Sequence, residues 1–86
     1  MRMRKKPNLG SRMDRCARLL IEDPKSLRGK WRSLKPEAKQ LWLELGCGKG
    51  RFTAETAAQN PDVLYLAIER VPDAMIVAME RCAAKE

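Results

Sequence analysis

LWLELGCGKGRF, residues Leu41 to Phe52, is the stretch on which the fold turns. A short apolar run carries one acid, Glu44, and then meets glycine at every second position, Gly46, Gly48 and Gly50. An apolar run of this length, closed by a glycine loop, predicts a buried strand over Leu41 to Leu45, of the kind found in parallel sheets. Glycines remove Cβ atoms, so the backbone can turn sharply and approach a ligand closely. A helix is expected next, from about Gly50 to Gln59, with Asn60–Pro61 as its stop. VLYLAI, Val63 to Ile68, reads as a second strand. Pro72 then stands where a first helical turn tolerates it, and Met75, Ile76, Met79, Cys82 and Ala83 follow at helical spacing.

Working back toward the amino end, KSLRGKWRSLKPEAKQ, Lys25 to Gln40, is a connector with Gly29, Pro36 and scattered positive charge. Trp31 is its one large apolar group and is expected to anchor the connector by packing rather than to stack on a base. Ser11 is placed to cap an earlier helix, with Asp14 in its first turn. Met13, Cys16, Ala17, Leu20 and Ile21 give that helix one apolar face, and Asp23–Pro24 ends it. Residues 1–10, MRMRKKPNLG, show no hydrophobic period and read as a basic arm.

Strands alternating with helices imply an α/β fold with a parallel sheet and right-handed crossovers. The expected architecture is the first β-α-β-α half of a Rossmann-like domain, preceded by a basic arm and a helix. Residues 1–40 form the arm, helix and connector, and residues 41–86 the cofactor-binding half-domain. Two parallel strands are too few to stand alone, so the sheet is expected to be incomplete and the chain to be the front of a longer one.

The charge is unevenly spread. Residues 1–35 hold twelve Lys/Arg against three acids, a net of +9, whereas residues 36–86 are net −2. A basic segment ahead of a near-neutral one suggests a polyanionic partner, with nucleic acid the leading class. Three cysteines without CxxC spacing, and no histidine, argue against a zinc site or any other metal centre. Free thiols fit a reducing cytoplasm. No apolar run is long enough for a signal peptide or a membrane span.

Three ligand classes use a loop of this general kind. An ATP or GTP loop needs GxxxxGK[ST], but here Lys49 is followed by Gly50–Arg51. A dinucleotide loop needs GxGxxG, and counting from Gly46 its third glycine position holds Arg51, which disfavours an NAD-dependent oxidoreductase. What remains is ExGxGxG, which resembles the first motif of class I S-adenosylmethionine-dependent methyltransferases. In that class the opening acid helps to hold the ammonium end of the cofactor. A second acid at the end of the next strand accepts hydrogen bonds from the ribose hydroxyls. Glu69 stands in that place, 19 residues past Gly50.

LELGCGKGRF followed by NPDVLYLAIERV narrows the likeness further. Together with the RKKP start (Arg4 to Pro7) and the GKW step (Gly29 to Trp31), it resembles the bacterial tRNA (guanine-N7-)-methyltransferases. Those enzymes modify the guanine conventionally numbered 46 in the variable loop of tRNA. The resemblance implies S-adenosyl-L-methionine as cofactor, with contacts at Glu44, Gly46, Cys47, Gly48, Gly50, Glu69 and Arg70. It implies tRNA as partner, with contacts from Arg4, Lys5, Lys6 and Lys30. Arg12, Arg15 and Arg18, which face away from the apolar stripe of the first helix, read either as further phosphate contacts or as a solvated helix face. Cys47 is expected to serve only as a small residue suited to the turn. The family's acidic DPWPK-type motif has no counterpart in these residues, so no catalytic side chain is assigned, and those are expected beyond Glu86. The alternative is a non-catalytic RNA-binding module with a relic cofactor loop.

Overall fold

The structure, a computed structural model, describes residues 8–85. Helix α1 covers Leu9–Arg15 and is followed by three short 3-10 turns at Ala17–Leu19, Pro24–Leu27 and Trp31–Leu34. Strand β1 (Gln40–Leu45), helix α2 (Arg51–Gln59), strand β2 (Val63–Ile68) and helix α3 (Pro72–Ala84) complete the order. The expected β-α-β-α succession is present, and β1 and β2 pair in parallel. β1 starts one residue earlier than its apolar run, at Gln40, and α2 starts at Arg51 with Gly50 as its N-cap. Pro72 opens α3, where its missing N–H costs no helical bond.

The register sets Gln40 opposite Val63 and continues without a slip to Leu45 opposite Ile68. Side chains alternate between faces along a strand. Leu41, Leu43 and Leu45 therefore share a face with Leu64, Leu66 and Ile68, while Trp42 and Glu44 share the other with Tyr65 and Ala67. The Trp42 and Tyr65 rings meet edge to face at 6.4 Å.

The core centres on α3, whose Ala74 and Ile76 are fully buried, with Met79 and the Cys16 side chain beside them. Leu9, Met13, Leu19 and Leu20 pack against this cluster from the amino-terminal segment. Arg12 reinforces that docking: its Nε donates to Glu80 Oε2 at 2.9 Å and its Nη2 to Oε1 at 2.5 Å. Arg12 is thus a cross-link between α1 and α3 and not part of a solvated face.

Three expectations are corrected here. The first helix is shorter than its periodicity implies and begins earlier. Leu9 and Gly10, read as part of the arm, are helical, and Ser11 lies inside the helix, donating to Asn8 O at 3.1 Å. After Arg15 the chain tightens: Leu19 N–H bonds Cys16 O at 2.9 Å, Leu20 N–H bonds Ala17 O at 3.1 Å, and Leu20 is extended. The apolar residues reach the core through a 3-10 turn of three residues per repeat instead of a continued α-helix. Second, β1 is not buried: Leu43 and Leu45 are 60% and 74% exposed. Among the described residues the sheet has two strands, so each has an open edge, and nothing covers this part of the leucine face. Third, Arg12 leaves the solvated set, as above. Arg4, Lys5 and Lys6 lie outside the described residues.

Candidate functional site: a glycine loop between two strand-end carboxylates

The loop after β1 is tied to the end of β2. Gly46 and Cys47 both donate their N–H groups to Ile68 O, at 2.7 and 3.0 Å. Glu69 completes the tie, its Oε1 accepting Gly48 N–H at 2.8 Å and its Oε2 accepting Val71 N–H at 3.0 Å. The two backbone donors, Val71 first and Gly48 second, hold the Glu69 carboxyl below the usual carboxylate range. Neighbouring Arg70 is exposed and adds a smaller push in the same direction. Glu69 therefore stays ionised at neutral pH. Each carboxylate oxygen has two lone-pair directions, so the group can still accept ligand hydroxyls.

Glu44 sits two residues ahead of the loop, opposite Ala67. Its Oε1 accepts Thr53 Oγ1 at 2.6 Å and Tyr65 OH at 2.8 Å. Burial, and secondarily the bond to Glu44, pushes the Tyr65 phenol up to about 12. Cys47 lies between the two acids, and its thiol is also pushed up, by burial first and by the Glu44 and Glu69 charges next. A thiol so held is protonated and unreactive.

The three loop glycines differ in their reasons for being glycine. All have positive φ: +72° at Gly46, +59° at Gly48 and +74° at Gly50. At Gly46 and Gly48 a Cβ would meet nothing within 4 Å, so the backbone there lies open to a ligand. At Gly50 a Cβ would stand 2.4 Å from Ala78 Cβ and 2.6 Å from Ala78 Cα. Gly50 is buried, and its bare backbone lets α3 press against the start of α2. Lys49 is exposed, and its carbonyl receives Arg81 Nη1 at 3.3 Å.

A groove of about 1170 Å³ runs from Trp31 and Leu34 past Leu41 and Leu43 to Cys47, Thr53 and Glu69. Trp31 is half-buried along it, as an anchor of the connector would be. Lys30 is exposed and stands apart from the glycine loop in the chain, at the start of the turn that carries Trp31. Thr53 and Tyr65 were not among the expected site residues. A signal for Tyr65 existed, since it is the only tyrosine of the chain and shares a face with Glu44 once the register is set. For Thr53 the one signal was a hydroxyl side chain in the first turn of α2, set between Phe52 and Ala54.

Two carboxylates beside exposed glycine backbone, with no salt bridge to either acid among the described residues, suit a ligand that brings its own positive charge and hydroxyls. A parallel β-α-β unit with its glycine loop and strand-end acids at the carboxyl edge defines the opening of a Rossmann-like cofactor domain. Residues 38–86 match the model of the family described as putative methyltransferase, and the chain belongs to that family. It is 37% identical over 81 residues to the tRNA (guanine-N(7)-)-methyltransferase of Acetivibrio thermocellus, covering 94% of this chain and 37% of that protein. The Clostridium beijerinckii protein of the same name is 46% identical over 69 residues, covering 80% of this chain and 31% of its own length. That of Bacillus cytotoxicus is 34% identical over 86 residues, spanning all of this chain and 40% of the relative. The chain thus spans between 31% and 40% of the length of these curated relatives. Among the described residues no helix is long and apolar enough to cross a membrane.

Proposed function

We propose that this chain forms the S-adenosyl-L-methionine-binding front of a cytoplasmic enzyme that methylates guanine N7 in tRNA, at position 46 of the variable loop. The observation that carries the reading is the pair of carboxylates, Glu44 and Glu69, at the ends of adjacent parallel strands on either side of an open glycine backbone. The names of the relatives support the choice of guanine N7 and tRNA. The cofactor supplies a methyl group on a sulfonium, already activated for transfer. Glu44 takes the ammonium end, Glu69 accepts the ribose hydroxyls, and Gly46 and Gly48 let the backbone lie against the ligand.

Guanine N7 carries an available lone pair, so attack on the methyl needs no strong base. The contribution of the protein is chiefly to hold the reacting atoms about 3–3.5 Å apart and in line. Arg4, Lys5, Lys6 and Lys30 are assigned to tRNA phosphates, with the +9 net charge of residues 1–35 as support. The test is a calorimetric titration of the chain with S-adenosylmethionine and, separately, with NAD. Tighter binding of S-adenosylmethionine, lost in Glu69→Ala, is expected. Preference for NAD, or unchanged affinity in Glu69→Ala, would sink the reading. Salt-sensitive RNA binding without any cofactor binding would point to a non-catalytic RNA module instead.

A further inference from the structure

Glu44 is held by two hydroxyls from different elements, and both reach the same oxygen. Thr53 Oγ1, from the first turn of α2, and Tyr65 OH, from β2, donate to Oε1 at 2.6 and 2.8 Å. Among the described residues Oε2 accepts no hydrogen bond, and no Lys or Arg pairs with Glu44. Thr53 is only 4% exposed, the one buried polar side chain of the described core. A buried hydroxyl must find an acceptor, and a helical threonine ordinarily bonds a carbonyl of the preceding turn. Here the carbonyl four residues back, Lys49 O, receives Arg81 instead. The Thr53 hydroxyl goes to the carboxylate of another element. Tyr65 is fixed in the same way: its ring sits edge to face with Trp42, and its hydroxyl reaches the acid.

A carboxylate with one oxygen bound by two fixed donors cannot rotate freely, and its other oxygen is left open to a ligand. We propose that Thr53 and Tyr65 are positioning residues that lock the Glu44 carboxylate so that Oε2 receives the ammonium end of the methyl donor. This rests on the reading of Glu44 given under the proposed function. Neither residue touches the reacting atoms. Their effect passes through Glu44 and is therefore confined to the amino acid end of the ligand.

That confinement supplies the test. S-adenosylmethionine and 5′-methylthioadenosine share the nucleoside and the sulfur, but the second lacks the amino acid end. Both are titrated calorimetrically into the unsubstituted chain and into Thr53→Val, Thr53→Ser and Tyr65→Phe, with circular dichroism to verify folding of each. Loss of one hydrogen bond to a charged group corresponds to about a 10-fold change in affinity. Thr53→Val and Tyr65→Phe should each weaken S-adenosylmethionine by about that factor and leave methylthioadenosine within about 2-fold. Thr53→Ser, which restores the hydroxyl, should bind like the unsubstituted chain. Equal loss of both ligands, no loss of either, or failure of serine to rescue would overturn the assignment and leave the hydroxyls a purely structural role. Should Thr53→Val fail to fold, Tyr65→Phe and Thr53→Ser decide the matter. If the unsubstituted chain binds neither ligand, the cofactor reading itself fails and this assignment goes with it. If it binds both equally, Glu44 does not hold the ammonium.

Discussion

Replacing Gly50 by alanine tests the reasoning about the loop most directly. The substitution meets two separate costs. Gly50 sits at φ +74°, and a non-glycine residue in the left-handed region costs about 1–2 kcal/mol. The added methyl would also lie 2.4 Å from Ala78 Cβ and 2.6 Å from Ala78 Cα, so α2 and α3 must part. Overpacking of this sort costs about 1–3 kcal/mol. Together these come to about 2–5 kcal/mol, against a total stability of about 5–15 kcal/mol for an ordinary domain. Gly48 is the internal control: its φ is +59° but its Cβ position is open, so Gly48→Ala should cost only the conformational part, about 1–2 kcal/mol. Urea unfolding followed by fluorescence of Trp31 and Trp42 measures both variants. In an Ala78→Gly background, where one of the two close atoms is gone, Gly50→Ala should be less costly by about 0.5 kcal/mol or more. The rescue is partial because Ala78 Cα remains. Gly50→Ala no more destabilising than Gly48→Ala, or strictly additive with Ala78→Gly, would refute the close approach of α3 as the reason for this glycine.

Other outcomes follow from the charges. Tyr65, the only tyrosine, should titrate near pH 12 by absorbance at 295 nm, and Glu44→Gln should lower that midpoint. Because the folded state keeps its proton longer than the unfolded, stability should fall as pH rises between about 10 and 12. A midpoint near 10 would contradict the buried, hydrogen-bonded phenol. Glu80 and Glu69 are both held below the usual carboxylate range, by Arg12 and by the Val71 and Gly48 N–H groups respectively. The unfolded chain therefore binds more protons below pH 4.5, and stability should be lost on acidification through that range. Glu80→Gln should flatten the dependence, as read from urea midpoints at each pH. Lys5→Ala with Lys6→Ala should weaken tRNA binding and lower the salt slope by about 0.7–0.9 for each phosphate no longer neutralised. S-adenosylmethionine affinity should be unchanged, and an equal loss of both would make the arm structural.

What the residues determined by themselves is local. An apolar run closed by glycine, a six-residue β-prone run after Asn60–Pro61, and a proline at the head of a 3.6-period pattern were enough to mark β1 and β2 almost to the residue and the start of α3. Those signals are written in neighbours and need no knowledge of the rest of the chain. The same holds for the placement of Glu44 and Glu69, because a strand end and the residue after it are local features. Tertiary structure decided everything that depends on meetings between distant residues. Periodicity through Ile21 and the stop at Asp23–Pro24 extended the first helix too far, whereas packing of Cys16, Leu19 and Leu20 on α3 draws the chain into a tighter turn after Arg15. Arg12 was one more exposed cation until α3 brought Glu80 to it, 68 residues on. Gly50 looked like its two partners in the loop, and only the position of Ala78 separates a glycine needed for packing from two that leave backbone open. Thr53 and Tyr65 became visible as the supports of Glu44 when the parallel register and the start of α2 set three hydroxyl and carboxyl groups within 3 Å. Hydrogen-bond geometry of that kind is fixed by packing in three dimensions, and no spacing along the chain encodes it.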